Sequence, residues 1–235
     1  AEGADIIDVG GESTRPGATE VSAEDERARV IPVIRSLGAM EVPVSVDTYK
    51  ASVAREAVDA GAVIINDVWG LQKDPEMPSA VAESEAAVVI MHNRADTDAA
   101  LDVMDDMRRF LDKSLALAAR AGVDQARILV DPGIGFGKTP EQSLTCLNRL
   151  DLLAEWYGLP VLLGLSRKRF IGHVLGNEVH ERLVGTLAAI MGVVVALLPR
   201  PEGSVFEVRG DPGRELAPAV EDDFCLEECS TGAPT

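Results

Sequence analysis

Six short apolar runs, rich in β-branched residues, each end in polar residues capable of chemistry, and most are separated by segments of helical period. Ile6-Ile7 leads into Asp8-Val9-Gly10-Gly11-Glu12-Ser13-Thr14-Arg15-Pro16-Gly17, Val44-Ser45-Val46 into Asp47-Thr48, and Val63-Ile64-Ile65 into Asn66-Asp67-Val68-Trp69-Gly70. Val88-Val89-Ile90 leads into Met91-His92-Asn93, Ile128-Leu129-Val130 into Asp131-Pro132-Gly133-Ile134-Gly135-Phe136-Gly137-Lys138, and Val161-Leu162-Leu163 into Gly164-Leu165-Ser166-Arg167-Lys168. Short continuous apolar runs suit strands covered on both faces, which is the pattern of a parallel sheet.

Between the runs the period becomes helical. Val30, Val33, Ile34 and Leu37 follow a Ser22 cap with Asp25 three residues on, although Pro32 inside the pattern is expected to bend the helix. Val53, Ala54, Ala57 and Val58 mark a second helix closed by Gly61, and Met104, Met107, Leu111, Leu115 and Ala118 a long one ending near Gly122. Thr139-Pro140-Glu141-Gln142 is a capping box with proline at the first helical position, followed by Leu144, Leu147, Leu150 and Leu153. Leu183, Leu187, Ile190, Met191 and Val194 supply a last helix.

A β-then-α repeat can close into a barrel or lie as an open doubly wound sheet. Chemistry-bearing residues after every strand favour the α/β TIM (β/α)8 barrel, whose active site is assembled from all the strand-to-helix loops. No Gly-x-Gly-x-x-Gly follows the first strand, and 235 residues suit one such domain. The loop from Asp131 to Lys138 brings bare backbone up to a flat ligand, with a carboxylate to accept its N–H groups. Taken alone it reads equally as a glycine-rich turn. Asp8, Asp47 and Asp131 taken singly read as caps or loop acceptors, and Arg15 or Lys168 as solvated charges.

In this order the motifs resemble dihydropteroate synthase, the folate-pathway enzyme that sulfonamides inhibit, from about Ala1 to about Gly192. The resemblance implies a Mg²⁺-assisted condensation of p-aminobenzoate with 6-hydroxymethyl-7,8-dihydropterin diphosphate, giving dihydropteroate and pyrophosphate. It also implies that Asp47, Asn66, Asp131 and Lys168 read the pterin edge, with Met91, Phe136 and Gly164 in the same pocket. Thr14 and Arg15 are implied at diphosphate and p-aminobenzoate. Ser166 and Arg167 are implied at the p-aminobenzoate carboxylate, near the start of the following helix. Asp8, Asp47 and Arg15 are the catalytic candidates, the carboxylates opposing positive charge on the pterin methylene. No covalent nucleophile is needed.

Against the family pattern, the sequence begins inside a barrel unit, without the first strand and without the loop whose asparagine holds Mg²⁺, so no residue is assigned as a metal ligand. From about Val193 the pattern diverges, with Glu207 and Arg209 where arginine and histidine are expected. The expected organisation is therefore an incomplete barrel over 1–198 and a divergent, partly disordered segment over 199–235. Two alternatives are a truncated fragment that binds pterin weakly or not at all, and a pterin-dependent methyltransferase acting on a corrinoid protein.

A formal charge of −17 argues against nucleic acid or anionic membrane as partners, leaving small-molecule substrates and, by resemblance, a possible homodimer. With no bilayer-length apolar run and no signal-peptide pattern, a cytoplasmic location is expected. Cys146, Cys225 and Cys229 form no disulfide framework. His92 reads as a structural or rim residue, since no second histidine stands at ligand spacing. Trp69 and Trp156 read as core or loop packing.

Overall fold

The computed structural model describes residues 4–14, 18–38, 40 and 42–197. The expected boundary at 198, the segment 199–235 with Glu207, Arg209, Cys225 and Cys229, and Arg15 lie outside the described residues.

Five of the apolar runs form strands: β1 (Ile7–Gly10), β2 (Val44–Asp47), β3 (Ile64–Asp67), β4 (Ala87–Met91) and β5 (Ile128–Asp131). They lie in one sheet in the order β1-β2-β3-β4-β5, and every neighbouring pair is parallel. Sequential parallel neighbours joined by helices form the arc of a TIM barrel. The sixth run departs from expectation, because Val161 makes a single parallel bridge with Val130 rather than a full strand. Val130 N–H donates to the Pro160 carbonyl and Leu162 N–H to the Val130 carbonyl. One residue later β5 ends at Asp131 and enters the glycine loop, so the ladder has nothing further to pair with.

The helices are α1 (Ala23–Leu37), α2 (Ala51–Asp59), α3 (Met77–Glu83), α4 (Val103–Ala121), α5 (Pro140–Asn148), α6 (Leu150–Tyr157), α7 (Arg169–Leu175) and α8 (Leu183–Leu197). The caps form as their residue types require. Ser22 Oγ accepts from Asp25 N–H at 3.1 Å, and the Thr139–Gln142 capping box is complete in both directions. Gly122, at φ 87°, closes α4. Pro32 does not end α1, which continues to Leu37. The leucine pattern after Thr139 is divided, however, because Arg149 leaves helical geometry at φ −123°, ψ 27° and separates α5 from α6.

Val103, Met107, Leu111, Ser114 and Ala118 fall on one face of α4 and are buried, as an i, i+4 stripe requires. That face joins Val46, Ile65, Val88, Ile90 and Val130 in the main core. A second cluster, Tyr49, Val68 and Met91 with Trp69 and Phe136 packed against it, lies at the C-terminal ends of β2 to β5. The site is built on that end.

No helix among the described residues is long and apolar enough to cross a membrane.

Candidate active site

Strand register decides which side chains meet. Gly10 is level with Asp47, Asp47 with Asn66, and Met91 with Asp131, so adjacent strands deliver these residues at one height, about 4.8 Å apart from strand to strand. Asp8 sits two residues below Gly10 on β1, and its Oδ2 accepts from Asn66 Nδ2 at 3.1 Å. Asp47 Oδ1 is buried without a hydrogen-bond partner. Burial, with the nearby charges of Asp8, Asp67, Glu26 and Glu12, raises the Asp47 pKa well above the usual carboxylate range. Among the described residues this leaves a carboxyl held toward its neutral form, with one oxygen unused.

Asp131 ends β5, three strands along the sheet from Asp47 on β2. Its Oδ1 accepts from Gly133 N–H at 2.6 Å, and the carboxyl is buried. Burial raises its pKa to about 6, although the Gly133 bond and the charges of Lys168 and Lys138 work against the rise. A raised carboxyl pKa stabilises the fold fully below the ordinary value of 3.8, and this contribution is lost as pH rises through about 6. The stability of the unsubstituted protein relative to Asp131→Asn should therefore decline from about pH 4 to pH 6 in denaturant titrations; a difference independent of pH contradicts the assignment.

The loop after Asp131 is shaped by glycines at positive φ, with Gly133 at 63°, Gly135 at 83° and Gly137 at 55°. A Cβ on Gly133 would lie 1.9 Å from the His92 carbonyl oxygen, and one on Gly137 would lie 2.4 Å from Arg94 Cβ. Gly133→Ala should thus cost more than the roughly 1–2 kcal/mol of left-handed backbone alone, because the His92 carbonyl must also move. Thermal unfolding would check this, and a wild-type melting temperature would refute the close approach.

The tight loop places the Phe136 ring under Lys168, whose Nζ lies 4.6 Å from the ring centroid. The lysine stem runs past two further glycines: Cβ atoms built on Gly135 and Gly164 would stand 3.7 Å and 3.9 Å from its Cδ and Cε. Met91, Phe136, Lys168, Gly164 and Asp131 are thereby brought together, while Asp47, Asn66 and Asp8 form a linked set on β1 to β3.

Ser166 and Arg167 are exposed beyond this group. Arg167 has φ 46°, and its N–H already donates to Thr186 Oγ1 at 3.0 Å. The helix that follows, α7, has only seven residues and starts after Lys168. The Arg167 N–H is thus engaged, and the expected help from a helix terminus is small; the Ser166 hydroxyl and the guanidinium remain as the means of meeting an anion. Thr14 is half-buried in the loop after β1, four residues beyond Gly10.

His92 is fully buried rather than at the rim. Its Nε2 lies 3.2 Å from Asp106 Oδ2 and its ring meets Phe110 edge-on at 5.1 Å. Burial and the charges of Lys138 and Arg94 lower its pKa to about 2, so the ring is neutral and structural.

Sequence reasoning missed an ionic network under the loop after β1. Lys50 Nζ contacts both Glu12 and the buried Glu26, and the Tyr49 hydroxyl lies 2.8 Å from Glu12 Oε1 and 3.3 Å from Glu20 Oε1. Burial opposes the charges of Lys50 and Glu12, but the contacts win: the Lys50 pKa is raised and the Glu12 pKa lowered. Asp67 was also missed as a loop former; it accepts from Trp69 N–H at 2.8 Å and Leu71 N–H at 2.7 Å.

No group of three or more His, Cys, Asp or Glu side chains among the described residues could hold a metal ion. Asp8 and Asp47 are hard oxygen donors, but two carboxyl groups are fewer ligands than a six-coordinate Mg²⁺ held by protein alone needs. These residues do not fit a protein-held Mg²⁺ site.

A parallel β/α arc with carboxyls, an amide and an ammonium at the C-terminal strand ends is the arrangement of a barrel enzyme. The model of the Pterin binding enzyme family matches residues 1–195, and the chain belongs to that family. It is 53% identical over 190 residues to the dihydropteroate synthase of Bacillus subtilis, a match covering 80% of this chain and 66% of that protein. It is 47% identical over 194 residues to the dihydropteroate synthase of Clostridium beijerinckii, covering 82% and 71%. Thus the chain spans about two thirds of the length of these curated relatives. Among solved structures it resembles Xanthomonas albilineans dihydropteroate synthase with 4-aminobenzoic acid, at TM-score 0.79 and 47% identity over 83% of this chain and 71% of that one. A Clostridium difficile dihydropteroate synthase structure, obtained in the presence of pteroic acid, matches at TM-score 0.78 and 47% identity, covering 83% and 73%.

Proposed function

We propose that the protein acts as a dihydropteroate synthase, a transferase of folate biosynthesis that joins p-aminobenzoate to 6-hydroxymethyl-7,8-dihydropterin diphosphate. The observation that carries the proposal is the placement of Asp131, with Lys168 and Phe136 beside it, and of Asp47, Asn66 and Asp8 on strands of one parallel sheet. Identity with dihydropteroate synthases over most of the chain supports the same reading.

In this reading Asp131 and Lys168 take the donor and acceptor edge of the pterin, with Asn66 and Asp47 completing it. Phe136 and Met91 supply apolar surface. The p-aminobenzoate nitrogen attacks the pterin methylene carbon. The C–O bond to diphosphate breaks with its electron pair leaving on oxygen, and the new secondary amine releases a proton. Positive charge developing at the methylene draws Asp47 toward its ionised form, so its electrostatic contribution grows toward the transition state. Ser166, Arg167, Thr14 and Arg15 are assigned to the two anions. Mg²⁺ would accompany the diphosphate and offset part of its charge.

The substrates are small molecules, the protein is assigned to the cytoplasm, and a homodimer is the proposed assembly. The test is pyrophosphate release. It should require both p-aminobenzoate and the pterin diphosphate, and release independent of p-aminobenzoate contradicts the assignment.

A further inference from the structure

Lys138 ends the glycine loop but is not at its surface: it is 7% exposed. Its Nζ donates to the carbonyls of Gly133 at 2.8 Å, Phe136 at 3.2 Å and His92 at 3.4 Å. The ammonium has three N–H groups, and three backbone acceptors from two adjacent strand-to-helix loops account for them. We propose that Lys138 is a positioning residue, whose ammonium gathers these carbonyls and so aims the Phe136 ring and the Asp131 carboxyl into the pterin pocket.

The contacts form a closed circuit. Phe136 N–H donates to the Gly133 carbonyl at 3.0 Å, and Gly133 N–H donates to Asp131 Oδ1 at 2.6 Å. The Phe136 ring carries Lys168, and the Lys168 charge acts on Asp131. Lys138 sits at the centre of this circuit without facing the ligand. Asp131, Asp106, Cys146, Arg94 and the neutral His92 ring are titratable or charged groups around it. Burial costs the ammonium part of its proton affinity, and its pKa is lowered to about 8. A charge kept there at such a cost needs acceptors that a neutral side chain would leave unpaired.

This role rests on the pterin reading of the pocket, and calorimetry with a pterin analogue separates the two. The unsubstituted protein should bind; no heat from a folded sample overturns the pterin reading and this role with it. Lys138→Met, shown to be folded by circular dichroism, should bind at least tenfold more weakly. Phe136→Ala should also weaken binding, and the double variant should be little weaker than Lys138→Met, because the lysine acts through the phenylalanine. A merely structural lysine would instead lower the melting temperature and leave affinity intact. A folded Lys138→Met with unchanged affinity, or losses that add in full, overturns the role. If Lys138→Met does not fold, Lys138→Gln, which keeps two donors, takes its place: a threefold or greater loss supports the role and unchanged affinity overturns it.

Discussion

Asp131→Ala is expected to leave a folded protein whose affinity for a pterin analogue falls at least about 30-fold. The carboxyl is the buried acceptor on the wall that also carries Lys168 and Phe136. Removing it takes away the group assigned to the pterin donors and frees Gly133 N–H, which it now holds at 2.6 Å. The freed Gly133 N–H costs stability with or without ligand; each pterin donor left unpaired costs binding roughly 1–3 kcal/mol, and two such donors multiply to about 30-fold or more. Lys168 would also lose the charge it faces. Calorimetric titration measures the change directly. Affinity within twofold of the unsubstituted protein would refute the assignment of Asp131 as the pterin acceptor.

The second large effect concerns stability rather than ligand. Lys50 stands between Glu12 and Glu26, and Glu26 is 1% exposed. Lys50→Met would leave Glu26 as a buried carboxylate without its cation, a situation that costs roughly 3–5 kcal/mol. Urea unfolding at neutral pH should show the loss, and it should shrink in acid as the stranded carboxylates take up protons. An informative control is Arg55→Ala, which removes an exposed partner of Glu83 and should cost under about 1 kcal/mol. Equal losses in the two variants would mean that burial does not set the strength of the Lys50 network.

What the sequence made legible follows from how local each signal is. Runs such as Val88-Val89-Ile90 specify buried parallel strands because every side chain in them is apolar, and Thr139-Pro140-Glu141-Gln142 specifies a helix start because its hydrogen bonds close within four residues. The polar residues after each strand could be named, and parallel register then brought Asp47 beside Asn66 and Met91 beside Asp131. The Lys50 network was not legible. Glu12 and Glu26 lie 38 and 24 residues from the lysine, and no period links them. The sixth run looked like a strand, yet its pairing depended on where β5 stopped. The short helices α3 and α7 carry too few turns to show a stripe. Nor does sequence show protonation: the raised Asp47 pKa arises from burial and four other carboxyl groups brought near it by the fold.

Lys138 shows the same limit in another form. Its place in the motif read as part of a ligand loop, whereas its three carbonyl contacts turn it inward. A cation in a binding motif can serve the loop's own backbone instead of the ligand, and only geometry separates the two uses.

In the proposed function Asp131 and Lys168, beside Phe136, read the pterin edge. A crystal structure of the protein with pteroic acid tests it most directly. The pterin ring is expected at the C-terminal ends of the strands, with its donor and acceptor edge within hydrogen-bond distance of the Asp131 carboxyl and Lys168 Nζ. Pteroic acid bound elsewhere, or in that pocket with its pterin edge turned away from both side chains, would contradict it.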